Sequence, residues 1–322
     1  VFRKWFSFPD PVMHIGSRTW VDLTPERKNQ FLRVYRRFLS NFDGFVVTYP
    51  PAFVELFEEF EKPILLVVAI RYEYPFSSDA FRWSELTQTL IRLREAKSLT
   101  LVANNRGDAE YLEEFVGGIV PVVASVCDYI PIKEGLGGQR FPIFAKSLEV
   151  SDFVRERVGA PWTGKKQALG ANYGWRQLLE CSAVVYIPYN SSAMSLFEFA
   201  TLGIPVLIPD EDLLKDLASK FDGVLSELTF LSMAGLQAPT GTPAFSGLQP
   251  ENSGYLDWWL DRSDFFDADL MPNVIRFGSF DDPVFSQNFD NFRSELAGLT
   301  PERNARLRSA RRLLIHNFAR TL

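Results

Sequence analysis

The stretch from Ile187 to Pro209, IPYNSSAMSLFEFATLGIPVLIP, carries one ionisable side chain, Glu198, among apolar, small and hydroxylic residues. The runs AVVYIP and IPVLIP read as strands, and the segment between them, from about Ser192 to Leu202, reads as a short helix. Ser192 is placed to cap its start, Gly203 to supply a left-handed end, and Pro205 to prevent continuation. Such a helix directs its unpaired N–H groups and positive dipole end at Tyr189, Asn190, Ser191 and Ser192, a ready anion site. Glu198 lies about a turn and a half further on, near a face carrying Met194 and Ser195. A carboxylate there can accept two hydrogen bonds from a ribose diol while the helix start holds phosphates, a combination that reads a nucleotide. The ordinary alternative is a solvated glutamate behind a serine cap.

The elements that must position these groups alternate from Gly44 onward. GFVVTYP reads as a buried strand, PAFVELFEEFE as a helix opening with proline, PILLVVAI as a strand, and DAFRWSELTQTLIRLREA as an amphipathic helix capped by Asp79. LTLVANN, a helix DAEYLEEFVG capped by Asp108, and the strand IVPVVASV follow. Continuous β-branched runs alternating with helices mark a parallel sheet covered on both faces. Tyr129 to Arg140, with three glycines and no periodicity, reads as a linker. The alternation then resumes with the strand FPIFAK, the helix SDFVRERVG, a long loop APWTGKKQALGANYG, the helix WRQLLEC, and the strand-helix-strand unit around Glu198. DEDLLKDLASK reads as a helix, Phe221 to Asn273 is irregular, VIRFGSF reads as a late strand, and Thr300-Pro301-Glu302 opens a basic terminal helix.

The 322 residues, 46% hydrophobic and 23% charged, fit a globular protein of two domains. A net charge of -6 argues against a general binder of nucleic acid or anionic membranes, since both need a cationic excess. Cys127 and Cys181 lack metal-ligand spacing and read as buried free thiols, favouring a reducing, cytoplasmic setting. No apolar run approaches the roughly 20 residues of a transmembrane helix.

The spacing Glu198-Phe-Ala-Thr-Leu-Gly203-Ile-Pro205-Val, after a strand, a proline and small hydroxylic residues, resembles the donor-binding segment of GT-B glycosyltransferases. There the glutamate five residues before the glycine binds the ribose of a sugar nucleotide. KPILLVVAIRYEYPF, LVANNRGDAEYLEEFVGG and IPYNSSAMSLFEF are also similar to predicted glycosyltransferases of large algal viruses and related microbes. Many retaining members carry a second glutamate eight residues before the first; here that position is Asn190, which puts a retaining outcome in doubt but keeps a hydrogen-bonding amide.

The resemblance gives roles to residues near strand ends, where ligands of open parallel sheets bind. Ser191, Ser192 and Ser195 would meet the phosphates, and Lys146 the negative charge of the departing diphosphate, with Arg140 or Arg176 assisting; each cation is otherwise an ordinary surface charge. Arg71, Tyr72 and Glu73 would emerge on the acceptor side. Glu73 serves as the general base of an inverting transfer if burial tunes its pKa, and Arg71 alternatively neutralises it. His14 is a second candidate base unless it is satisfied in the core. Asp22, Asn104 and Asn105 can orient acceptor hydroxyls or simply make turns. Trp83, Trp162, Trp175 and Tyr189 offer faces for stacking. Asp267-Ala-Asp269 has the spacing with which GT-A enzymes hold manganese, a short motif that arises easily by chance. EGLGGQR lacks the strand-to-helix context of a dinucleotide fingerprint.

The expected fold is α/β, with two Rossmann-like domains whose parallel sheets face across a cleft. They comprise an acceptor-side domain over residues 1–135, a donor domain over 136–300, and a terminal helix over 301–322 returning to the first domain. The expected function is transfer of a sugar from a nucleotide-diphosphate sugar, as co-substrate, to a hydroxyl of a glycan-type acceptor, with no metal or other cofactor. The rivals are a metal-dependent GT-A enzyme using Asp267 and Asp269, a catalytically silent nucleotide-sugar-binding module, and an epimerase of the same fold.

Overall fold

The computed structural model describes residues 23–74, 79–130, 138–229, 231 and 247–320; His14, Asp22 and most of the glycine-rich joint lie outside them. Helix α1 (Pro25–Leu39) starts on a Thr24 cap with proline in its first turn. Next come β1 (Phe45–Val47), β2 (Ile64–Val68), α2 (Ala80–Glu95), β3 (Leu99–Ala103) and α3 (Arg106–Val116). The three strands form a parallel sheet in chain order, with Ile64 opposite both Phe45 and Leu99. Four of the five residues of β2 are buried, as suits a central parallel strand.

Three expectations change in this half. PAFVELFEEFE forms two 3-10 turns, Pro51–Leu56 and Glu58–Phe60, instead of an α-helix. Residues three apart eclipse in a 3-10 turn, and this brings Phe57 and Phe60 together onto Phe45, with ring centroids 4.4 and 5.3 Å away. IVPVVASV contributes only a one-residue bridge, Val122 beside Ala103, because Pro121 has no N–H to extend the ladder. The cap of α3 is Asn105, whose Oδ1 accepts the Asp108 N–H at 2.7 Å. Asp108 is thereby left to make other contacts.

The second half contains β4 (Pro142–Phe144), α4 (Leu148–Val158), β5 (Thr163–Gly164), α5 (Lys165–Leu169), α6 (Trp175–Leu178), β6 (Val184–Tyr186), α7 (Met194–Leu202), β7 (Val206–Pro209), α8 (Glu211–Lys220), α9 (Tyr255–Asp261), β8 (Val274–Phe277) and α10 (Asp290–Ala319). Its five parallel strands run in the order β5-β4-β6-β7-β8. From β4 the chain moves outward to β5, then returns past β4 to β6 and continues the other way. The strand order therefore reverses between β4 and β6, the kind of position at which open parallel sheets leave a crevice beyond the carboxyl ends. The segment expected as a long loop holds β5 and α5, and α9 lies in the stretch that had no expected structure.

Helix α10 begins ten residues before Thr300 and runs through Pro301. Buried Leu296, Thr300, Arg303, Asn304 and Leu307 hold it against the body of the protein, offsetting the hydrogen bond that proline removes. Gly203 makes that contact possible: its φ is +65°, and a Cβ there would meet Thr300 Oγ1 at 3.3 Å. The far end of α10 packs Phe318 against Leu65 and Val102 of the first sheet, and Arg308 donates to Asp128 Oδ1 at 2.6 Å. No described helix is long and apolar enough to cross a membrane.

Candidate functional site

A cavity of about 500 Å³ lies at the reversal point of the second sheet. Phe144 and Lys146 reach it from the end of β4, Tyr186 and Tyr189 from the end of β6, and Met194 and Ser195 from the first turn of α7. The Ile187 N–H donates to the Phe144 carbonyl at 2.8 Å, which ties the two strand ends together. Segment 225–227 then runs alongside 188–189, with the N–H groups of Leu225 and Glu227 donating to the carbonyls of Pro188 and Tyr189. That pairing delivers Glu227 to the wall, where it forms an ion pair of 2.6 Å with Lys146. Lys165, at the start of α5, sits 5.4 and 5.7 Å from the ring centroids of Phe144 and Tyr173. It has no carboxylate within ion-pair range among the described residues. Burial raises the phenol pKa values of Tyr173, Tyr186 and Tyr189. At neutral pH all three therefore stay protonated, presenting hydroxyl donors and aromatic faces.

The helix beside the cavity differs at its start from expectation. Its N-cap is Ala193, in extended conformation, and no side chain caps the first turn. The serines turn elsewhere. Ser191 Oγ accepts from Arg71 Nη1 at 3.3 Å, and its N–H donates to Asn190 Oδ1 at 2.8 Å. The Ser192 hydroxyl lies toward Asp264. Only Ser195 of the three lines the cavity. Glu198 is half-buried next to it and accepts a hydrogen bond from Tyr129 of the first half. Burial first, then the Glu198 contact, raises the Tyr129 phenol pKa. The charge of Glu198 also reaches Tyr173 on the cavity wall.

Where the two halves meet, a buried polar knot forms around Arg71, which is 3% exposed. Its guanidinium pairs with Asp108 at 3.2 Å, donates to Asn190 Oδ1 at 2.8 Å and lies 5.0 Å from the Trp259 ring centroid. Glu73 is fully buried and accepts from the Tyr111 hydroxyl at 2.8 Å, while its second oxygen faces no other described residue in hydrogen-bond geometry. Burial pushes its carboxyl up to about 7, against the smaller pulls of its own backbone N–H, Tyr111 and Arg71. Asp264 is likewise pushed up by burial, to about 8. Neither of its oxygens is in hydrogen-bond geometry with a described residue, although the Ser192 hydroxyl is near enough to favour ionisation. Tyr72 faces inward, accepting from Trp83 Nε1 at 2.7 Å, and Asn104 accepts from Asn105. Thus Arg71, Glu73, Asn190 and Ser191 gather on the seam, while Lys146, Tyr189 and Ser195 gather on the cavity.

Arg140 pairs with Glu180 at 2.7 Å and Arg176 lies over Trp175; neither lines the cavity. Asp267 Oδ1 accepts the N–H groups of Asp269 and Leu270 at 2.9 and 3.1 Å, so the Asp-Ala-Asp stretch forms a turn. Among the described residues, no group of three or more His, Cys, Asp or Glu side chains is arranged to hold a metal. Sequence reasoning missed Lys165, Tyr173, Tyr186 and Glu227. For the first two a signal existed, since a loop as long as APWTGKKQALGANYG is uncommon in compact α/β proteins and often functional.

No protein-family model and no curated protein matches the chain, so the viral resemblance remains a reading of the sequence alone. Similar solved structures include the glycotransferase of kitacinnamycin, at 13% identity over 96% of this chain and 83% of that one, TM-score 0.40. Accessory secretory protein 1,2 and 3 of Streptococcus pneumoniae matches at 11% identity over 85% of this chain and 57% of that one, TM-score 0.39. The glycosyltransferase SnogD from Streptomyces nogalater matches at 11% identity over 93% and 82%, TM-score 0.33. These likenesses are too low to carry a functional argument, which rests on the cavity itself.

Proposed function

We propose that this chain is a glycosyltransferase of GT-B layout. Its second half, from about residue 136, holds a nucleotide-diphosphate sugar in the cavity between β4 and β6; its first half presents an acceptor hydroxyl, and α10 joins the two. The observation that carries this reading is the cavity's place at the reversal of the strand order, where open parallel sheets bind ligands. The side chains there suit a nucleotide diphosphate. Lys165 and the uncapped first turn of α7 offer positive charge and N–H donors to the phosphates, and Lys146 adds a second cation when Glu227 yields it. Tyr173 and Tyr189 offer faces to a base or sugar. Glu198 takes the ribose diol once Tyr129 is displaced.

In the transfer, the acceptor oxygen attacks the anomeric carbon, the bond to the diphosphate breaks, and the diphosphate leaves with the electron pair. Preorganised cations and helix amides aimed at that developing charge lower the barrier. Glu73, with its carboxyl near 7, suits proton acceptance from an acceptor hydroxyl brought to the seam. Its complete burial favours a second reading, a binding module without turnover.

The test is a thermal-shift series with UDP, GDP, ADP, CDP and dTDP, followed by assay of the matching sugar nucleotides. One diphosphate is expected to raise the melting temperature, and Lys165→Ala or Glu198→Ala to remove the rise. No shift with any of them at millimolar concentration rejects the reading. Binding without release of free diphosphate in the presence of hydroxyl acceptors, unchanged by Glu73→Gln, selects the module.

A further inference from the structure

The loop that opens α7 is shaped by a residue of the other half of the molecule. Residues 187–193 connect β6 to α7, and two of them, Asn190 and Ser191, are held by the Arg71 guanidinium. Asn190 Oδ1 takes both the Arg71 donor and the Ser191 N–H, which fixes the turn that aims the helix start. Arg71 cannot move freely to do this. Asp108 pairs with it, and the Trp259 ring lies over it, so its fork is set before any ligand arrives. Trp259 is itself pressed against α3: a Cβ on Gly107 would lie 3.0 Å from its ring. The same side of the seam carries the ion pair of Arg262 with Glu110 at 2.5 Å. An arginine of the first half, clamped by α3 and α9, thus sets the loop at the mouth of a cavity built entirely by the second half.

We propose that Arg71 is a positioning residue for diphosphate binding, so that the cavity reaches full affinity only while the two halves are docked. This rests on the reading of the cavity as a nucleotide-diphosphate site. Lysine at position 71 keeps the charge but lacks the planar fork needed to hold Asn190, Ser191 and Asp108 together.

The test uses the full chain and whichever of UDP, GDP, ADP, CDP and dTDP the wild type binds. Calorimetry gives Kd, and amide hydrogen exchange is read peptide by peptide. Arg71→Lys is expected to raise Kd about tenfold, the loss of one charge-assisted hydrogen bond. Exchange should quicken in residues 188–196 more than in β7 or β2. Asn190→Ala is expected to raise Kd similarly, and the double variant no further, because both remove one contact. An Arg71→Lys protein with wild-type Kd overturns the proposal. So do additive losses in the double variant, which would make Asn190 a direct ligand contact, and exchange that quickens uniformly, which would make Arg71 only a general support. If Arg71→Lys does not fold, Gly107→Ala displaces Trp259 and takes its place in the same cycle, with the same outcomes deciding. A wild type that binds none of the five diphosphates rejects the reading of the cavity itself, an outcome distinct from unchanged affinity in the variants.

Discussion

The ends of β2 and β3 in the first sheet and the ends of β4 and β6 in the second are built from similar sequence, apolar strands followed by polar residues, yet they come to opposite states. Across the described first sheet the strands run in one direction without reversal, and the polar groups near their ends, Arg71, Glu73, Asn104 and Asp108, are buried, with Arg71 reaching the other half. In the second sheet the order reverses between β4 and β6, and Lys146, Lys165, Tyr173 and Ser195 are left around an open cavity. Topology, more than residue type, decides which strand ends line a cavity. Polar groups without a crevice must find partners within the protein, because burying them unpaired costs several kcal/mol.

The largest expected difference is in stability. Arg71→Met leaves Asp108 buried without its cation and should cost about 3–5 kcal/mol in urea unfolding, while Lys165→Met should stay within about 0.5 kcal/mol. A comparably small loss for Arg71→Met would break the contrast.

The pH dependence sharpens it next. The folded carboxyls of Glu73, at about 7, and Asp264, at about 8, lie above their ordinary values of 4.5 and 3.8. The folded state then holds more protons than the unfolded one, so their contribution is fully present below about pH 4 and is lost as pH rises toward 8. Glu73 alone accounts for a loss on the order of 3 kcal/mol, with burial as its main cause. Unfolding curves between pH 4.5 and 8 should show this decline, and Glu73→Gln should flatten it; a stability that rises across the range would contradict the seam as described. The cavity tyrosines, held as phenols, add nothing over that interval.

Smaller again is the packing of α7 under α10. Gly203→Ala places a side chain at φ +65° and against Thr300, and should cost about 1–2 kcal/mol by denaturant midpoint. Smaller than the Gly203 effect is that of Lys146→Ala, which removes a partly exposed ion pair with Glu227 and should change stability by under about 1 kcal/mol.

Much of the architecture was legible in local pattern. Seven of the strands follow apolar runs of the right length, from FVV at 45 to VIRF at 274, and Asp79 caps a helix where the sequence places it. What escaped depended on contacts distant in the chain. Strand β5 has two residues and exists because β4 lies beside it; α10 passes through Pro301 because its flanks are packed; PAFVELFEEFE tightens to 3-10 turns around Phe45. The site divides the same way. Lys146, Tyr189 and Ser195 reach the cavity by following their own strands or opening their own helix. Ser191 and Ser192, with equal local claims as caps, are drawn off by Arg71 and toward Asp264, 120 and 72 residues away. Glu227 reaches the cavity through a backbone pairing with Tyr189 that no local pattern announces.

The most direct test of the cavity's role is photolabelling with an azido derivative of the bound nucleoside diphosphate, followed by peptide mapping. Label is expected on peptides containing Lys165 to Tyr173 or Tyr186 to Ser195, competed away by the unmodified diphosphate and absent from Lys165→Ala. Label that instead falls on the Asp261 to Leu270 turn or along α10, or that free diphosphate fails to displace, would contradict a nucleotide site between β4 and β6.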